Sequence, residues 1–182
     1  MKTTCFHVIL FIAGITNGAE FRTSSKEPVV VTAPDQWKAT KDRTPSATFP
    51  FETYRIEPPT NRNAVCLISI YDTDKPEFTD PEFLKTLLRA DCRPYVGSSS
   101  ELSKVEAKEL KVDSGLAFYA NFIDPDLVGK PVVRGSYKTA TPVIACISSK
   151  YLIKITILCD QIDGPDYRDV IAIVKSIKVK KE

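Results

Sequence analysis

The chain has 182 residues, 43% hydrophobic and 26% charged, with a formal net charge of +2 and five cysteines. That profile belongs to a globular domain and excludes a disordered or coiled-coil chain. The charge is too near neutral for a nucleic-acid footprint, which needs a clustered basic excess. The one long apolar run lies at the N-terminus, so no internal membrane span is expected.

Met1-Lys2 precedes an apolar run over residues 5–15, which ends in Thr16-Asn17-Gly18-Ala19. A positive end, a short apolar stretch and small residues are the order of a secretory signal peptide, cut after Gly18 or Ala19. A retained anchor is the alternative. Residues 1–19 are therefore read as a signal peptide, and the protein as exported, periplasmic or secreted, with no transmembrane segment after cleavage. Residues 20–27 are polar and read as a flexible N-terminal segment, and residues 28–182 as a single α+β domain.

Within that domain, residues 28–33 form a first strand, followed by a turn at Pro34-Asp35. Residues 47–57 are extended but broken by Pro50. Residues 64–71 are a nearly continuous apolar, β-branched run, which predicts a central strand buried on both faces. Phe83, Leu84, Leu87 and Leu88 recur at helical spacing over residues 80–90, with Asp80 as N-cap and Pro81 in the first turn. Residues 97–100 read as a loop, the second half of 102–112 as a strand, and Asp113-Ser114-Gly115 as a turn into a strand whose Leu116, Phe118, Ala120 and Phe122 alternate. A proline-bounded loop over 124–131 leads to the strongest hairpin, residues 141–149 with 151–159. There Ile153, Ile155 and Ile157 share one face, and Lys154 and Thr156 the other, solvated one. An amphipathic helix over residues 165–175 runs into a last strand, where Lys178 and Lys180 protect an edge by charge. Hairpins with two helices predict a mainly antiparallel sheet flanked by helices.

His7, the sole histidine, falls inside the signal peptide, so the mature chain lacks imidazole. Ser-His-Asp and Cys-His catalysis and His-ligated zinc are thereby excluded. No Cys-x-x-Cys, dinucleotide-binding or P-loop motif occurs. No catalytic residue, cofactor site or metal site is assigned. The best acidic constellation is Asp160, Asp163, Asp166 and Asp169, at every third position. It lacks the spacing of a calcium loop, and Asp163 reads as an N-cap with Asp166 as its capping-box acid. Asp72/Asp74 and Asp124/Asp126 read as turn residues.

Export permits disulfides among Cys66, Cys92, Cys146 and Cys159, in three connectivities. The hairpin places Cys146 opposite about residue 153, too far from Cys159 to bridge. Cys92, at a helix end, and Cys159, at a strand end, are the most reachable pair, while Cys66 and Cys146 also suit buried thiols.

Three stretches carry a family likeness: Ala33-Pro34-Asp35-Gln36-Trp37-Lys38, Leu110-Lys111-Val112-Asp113-Ser114-Gly115-Leu116-Ala117-Phe118-Tyr119, and the helix-to-strand segment over 167–179. In their order the chain resembles the Mog/PsbP-like superfamily, which implies an α/β/α sandwich with an antiparallel sheet and a non-enzymatic role in binding or assembly. No functional residue is carried over, since these relatives share a scaffold rather than a site.

Three functions follow. The first is a non-catalytic accessory protein that docks a protein through a sheet face or its proline-rich loops. Trp37, Tyr54, Tyr119 and Tyr137 are its candidate interface aromatics, with core packing as the alternative, above all for Trp37. The second is a small-ligand carrier with an apolar pocket of a few hundred cubic ångströms. The third is a glycan hydrolase with two carboxylates in one groove.

Overall fold

The computed structural model of the chain describes residues 19–23, 27–43, 51–73 and 75–180; apart from Ala19, the expected signal peptide lies outside them, as does Asp74. In chain order the elements are β1 (Ala19–Arg22), β2 (Val29–Ala33), β3 (Lys38–Arg43), β4 (Phe51–Glu57), β5 (Ala64–Asp72), α1 (Pro81–Asp91), α2 (Ser99–Leu102), β6 (Lys108–Glu109), β7 (Gly115–Tyr119), β8 (Phe122–Ile123), β9 (Thr139–Ile147), β10 (Tyr151–Cys159), α3 (Pro165–Lys175) and β11 (Lys178–Val179). The large sheet runs β3-β4-β5-β10-β9-β7-β6, with β8 also on β9, and a small sheet runs β1-β2-β11. Each pairing is antiparallel. The fold is α+β.

The period-two alternation of β10 divides the core. Ile153, Ile155 and Ile157 point to one side, where they meet Cys66, Ile68, Val143 and Ala145 of the sheet, Val170, Ile173 and Val174 of α3, and Val29 and Val31 of β2. On the other side Ile144, Cys146, Phe118 and Leu152 meet Leu84 and Leu88 of α1. The two helices thus cover opposite faces. The second face of β10 is not the solvated one expected: Leu152 is buried, and Lys154 reaches Asp91 at the end of α1.

The strand buried on both faces is β9, all nine of its residues, rather than β5, whose Leu67, Ser69 and Tyr71 are half-buried. Pro142 sits inside β9 although proline cannot donate to a ladder. The neighbour strand is interrupted there: β7 stops at Tyr119, opposite Val143, and β8 resumes at Phe122, opposite Ala140. Ala120 still donates to the Pro142 carbonyl at 3.2 Å.

The first helix starts as expected, with Asp80 Oδ1 accepting from the Glu82 N–H at 3.0 Å. Two strands escape the sequence patterns. The edge strand β3 is almost wholly polar, and β1 lies in the segment read as flexible. Glu20, Phe21 and Arg22 instead pair with Thr32, Val31 and Val30, with Phe21 packed against the core. Lys178 and Lys180, at the opposite edge of that small sheet, are exposed.

Cys66, Cys92, Cys146 and Cys159 are free and buried. The expected Cys92–Cys159 disulfide is not found, and the sheet separates its partners: Cys159 belongs to the core beneath α3 and Cys92 to the core beneath α1. Burial pushes all four thiols up, that of Cys92 to about 12. The thiolate is the nucleophile that attacks a disulfide reagent, so these four thiols are expected to resist a soluble disulfide reagent in the folded chain and to react fully after denaturation; a fast-reacting Cys92 or Cys146 in native buffer would contradict it.

Candidate docking loop

β5 begins at Ala64 opposite the last residue of β10, Cys159, which in turn faces the first residue of β9, Thr139. The loops before β5, before β9 and after β10 therefore meet at one end of the sheet. Residues 124–138, between β8 and β9, form the largest of them.

Among the described residues, the exposed large hydrophobic side chains are Ile123, Val128, Val132 and Val133, each more than half exposed. All four lie in or beside this loop. Single exposed apolar residues need no explanation; what sets these four apart is that they fall in one short stretch of the chain. The backbone explains why they cannot turn inward. Pro125 and Pro131 interrupt any ladder, Gly129 has φ of 75°, and the Ser136 N–H closes a turn onto the Val133 carbonyl at 2.9 Å with Gly135 at φ of 82°. A positive φ at that third turn position is glycine's role.

The valines are held in place. Asn63, buried at the mouth of β5, accepts from the Gly135 N–H at 3.0 Å. Its amide donates to the Ser136 carbonyl at 3.0 Å and to Asp160 Oδ2 at 2.9 Å. Arg134 donates to the Thr60 carbonyl at 2.8 Å, Lys138 donates to the Lys130 carbonyl, and the Asp124 N–H donates to the Lys138 carbonyl at 2.8 Å. Asp124 and Asp126 form the turn expected of them, the Asp126 N–H donating to Asp124 Oδ1 at 2.9 Å.

The loop contributes residues to two grooves. One, of about 380 Å3, is flanked by Pro94, Pro125 and Ile123 and by the stacked rings of Tyr95 and Phe122, 5.3 Å between centroids. The other, of about 410 Å3, is lined by Arg134, Val132, Arg62, Asp160 and Asp166.

The acidic run after β10 does not cap α3 as expected. Asp163 takes a left-handed conformation, φ 64°, its carbonyl accepts from Arg168 at 2.6 Å, and the N-cap is Gly164. Asp166 and Asp169 instead hold Arg62 between them, at 2.5 Å to Nε and 2.7 Å to Nη2, with its guanidinium 5.3 Å above the Trp37 ring. Spacing along one chain showed the carboxylates; it could not show an arginine from a distant loop. Among the described residues no group of three or more His, Cys, Asp or Glu side chains is arranged for a metal ion. Asp160 and Asp166 share the second groove; Asp166 is held by Arg62, while Asp160 accepts from Asn63 at Oδ2 and its buried Oδ1 has no hydrogen-bond partner among the described residues.

None of the candidate aromatics is fully exposed, and of the four only Tyr137 lies in this loop. Trp37 is 4% exposed and part of the core. Tyr54 is half-buried and donates to Glu52 at 2.5 Å; burial and that bond push its phenol pKa up. Tyr119 packs against the core beneath α3, and Tyr137 is half-buried. The missed signal was Pro131-Val132-Val133-Arg134-Gly135, adjacent valines between a proline and a glycine, where no strand could bury both.

The chain matches no family model and no curated protein. The Mog/PsbP-like likeness therefore rests on the three sequence stretches alone. Among the described residues no helix is long and apolar enough to cross a membrane. An apolar cavity behind Phe21, Val29, Tyr54 and Ile68 holds about 10 Å3, room for about one water.

Proposed function

We propose that this chain is an exported, non-catalytic accessory protein that docks a protein partner through the loop between β8 and β9. The observation that carries the reading is that the exposed large aliphatics, among the described residues, all lie in or directly beside one loop braced by buried Asn63. Bracing of this kind lowers the ordering cost of binding, since the contact surface exists before the partner arrives. Export is supported by the order of residues 1–19, and the lack of catalytic roles by a mature chain without histidine.

The test is a pull-down from the envelope or secreted fraction with the wild-type chain and with Val132→Ser/Val133→Ser. Both valines are exposed, so the variant should stay within about 0.5 kcal/mol of wild-type stability. A specific protein is expected to be retained by the wild type and lost by the variant. Equal retention by both would remove the loop from the interface.

A further inference from the structure

Resting on that reading, we propose that the docked partner segment is acidic, an extended stretch whose apolar side chains cover Val132 and Val133 and whose carboxylates meet the cations beside them. Residues 128–138 carry Lys130, Arg134 and Lys138 and no acid. Lys130 and Arg134 are exposed with the valines. Arg134 spends one nitrogen on the Thr60 carbonyl and lines the adjoining groove with Val132, which leaves further guanidinium N–H groups to meet a carboxylate.

The carboxylates nearby lie in the groove and not at the tip. Asp166 and Asp169 share Arg62, and Asp160, which accepts from neutral Asn63, keeps its charge there, whereas residues 128–138 themselves carry no acid. The cations at the tip therefore face outward over apolar surface, and complementarity calls for the opposite charge on what covers them. A protein segment fits better than an anionic bilayer. Exposed Asp124 and Asp126 sit on the same loop; a broad anionic surface would press against them, whereas a narrow segment along residues 128–138, kept off the groove that Asp160 and Asp166 line, passes them by.

The experiment is selection of random displayed peptides on the purified chain, followed by affinity measurement of the enriched peptides against wild type, Val132→Ser/Val133→Ser and Lys130→Glu. Enriched peptides are expected to interleave Asp or Glu with apolar residues. They should bind each variant on the order of tenfold more weakly, a difference of about 1.4 kcal/mol, and lose affinity as salt is raised. Peptides that need the valines but carry no acidic excess would overturn the acidic assignment and leave the docking reading standing. No enrichment, or peptides indifferent to both variants, would overturn the two together. In parallel, cosedimentation with phosphatidylglycerol vesicles that is lost in the valine variant would overturn the proposal in favour of a lipid surface.

Discussion

Replacement of Gly115 by alanine should destabilise the chain by about 3 kcal/mol or more, at the upper end of the cost of overpacking. Gly115 opens β7 opposite Ile147, and a Cβ there would lie 1.9 Å from the Cys146 carbonyl oxygen and 3.0 Å from the Ile147 Cα. Both are backbone atoms of β9, buried on both faces, so neither can swing aside as a flexible side chain would. The strands must separate at this end, which strains the Ser148 N–H bond to the Ser114 carbonyl, now 2.8 Å. Urea denaturation of wild type and Gly115→Ala would measure the loss; a midpoint within error of wild type would show that β7 is held less closely to β9.

The second large effect is expected at Asn63. Asn63→Ala removes the acceptor for the Gly135 N–H and the donor to Ser136 and Asp160. Each such bond is worth about 1 kcal/mol, more where a carboxylate takes part, so a total near 3 kcal/mol is expected. The site distinguishes this from an ordinary core lesion. With its brace gone, the turn carrying Val132 and Val133 should open, and trypsin should cut after Arg134 faster than in wild type, under conditions where both proteins remain folded. Unchanged cleavage would assign the bracing of the loop to Arg134 and Lys138 instead.

How much of this was legible depended on the range of the interaction. α1, α3 and the β9–β10 hairpin announce themselves by local period, and the Asp80 cap by local spacing. β3 does not, because an edge strand with Lys38, Thr40 and Lys41 exposed shows no apolar alternation. The cysteines show how small an error matters. Cys146 lies opposite Leu152, one residue from the position expected, because residues 148–150 make the turn with Ser148 and Ser149 at positive φ. A one-residue slip exchanges the two faces of a strand, and Cys146 accordingly lies beneath α1 while Cys159 lies beneath α3. The proposed docking loop was hidden for another reason. Its apolar residues are defined by exposure, and the turn that carries Val132 and Val133 is tied down by Asn63 from a distant part of the chain.

The small sheet has a mechanical consequence. β1 and β11 both run antiparallel to β2, with Ala19 beside Ala33 and Val179 beside Val29. The two ends of the described chain therefore leave the sheet in opposite directions along the strand axis. A tension applied to both ends would load the β1–β2 and β2–β11 ladders in shear, several hydrogen bonds at once, rather than peel them singly. Survival under such a pull is set by the rate of unfolding rather than by equilibrium stability, so a translocating or degrading machine that draws on one end while the other is anchored would meet its first resistance in this three-stranded clasp.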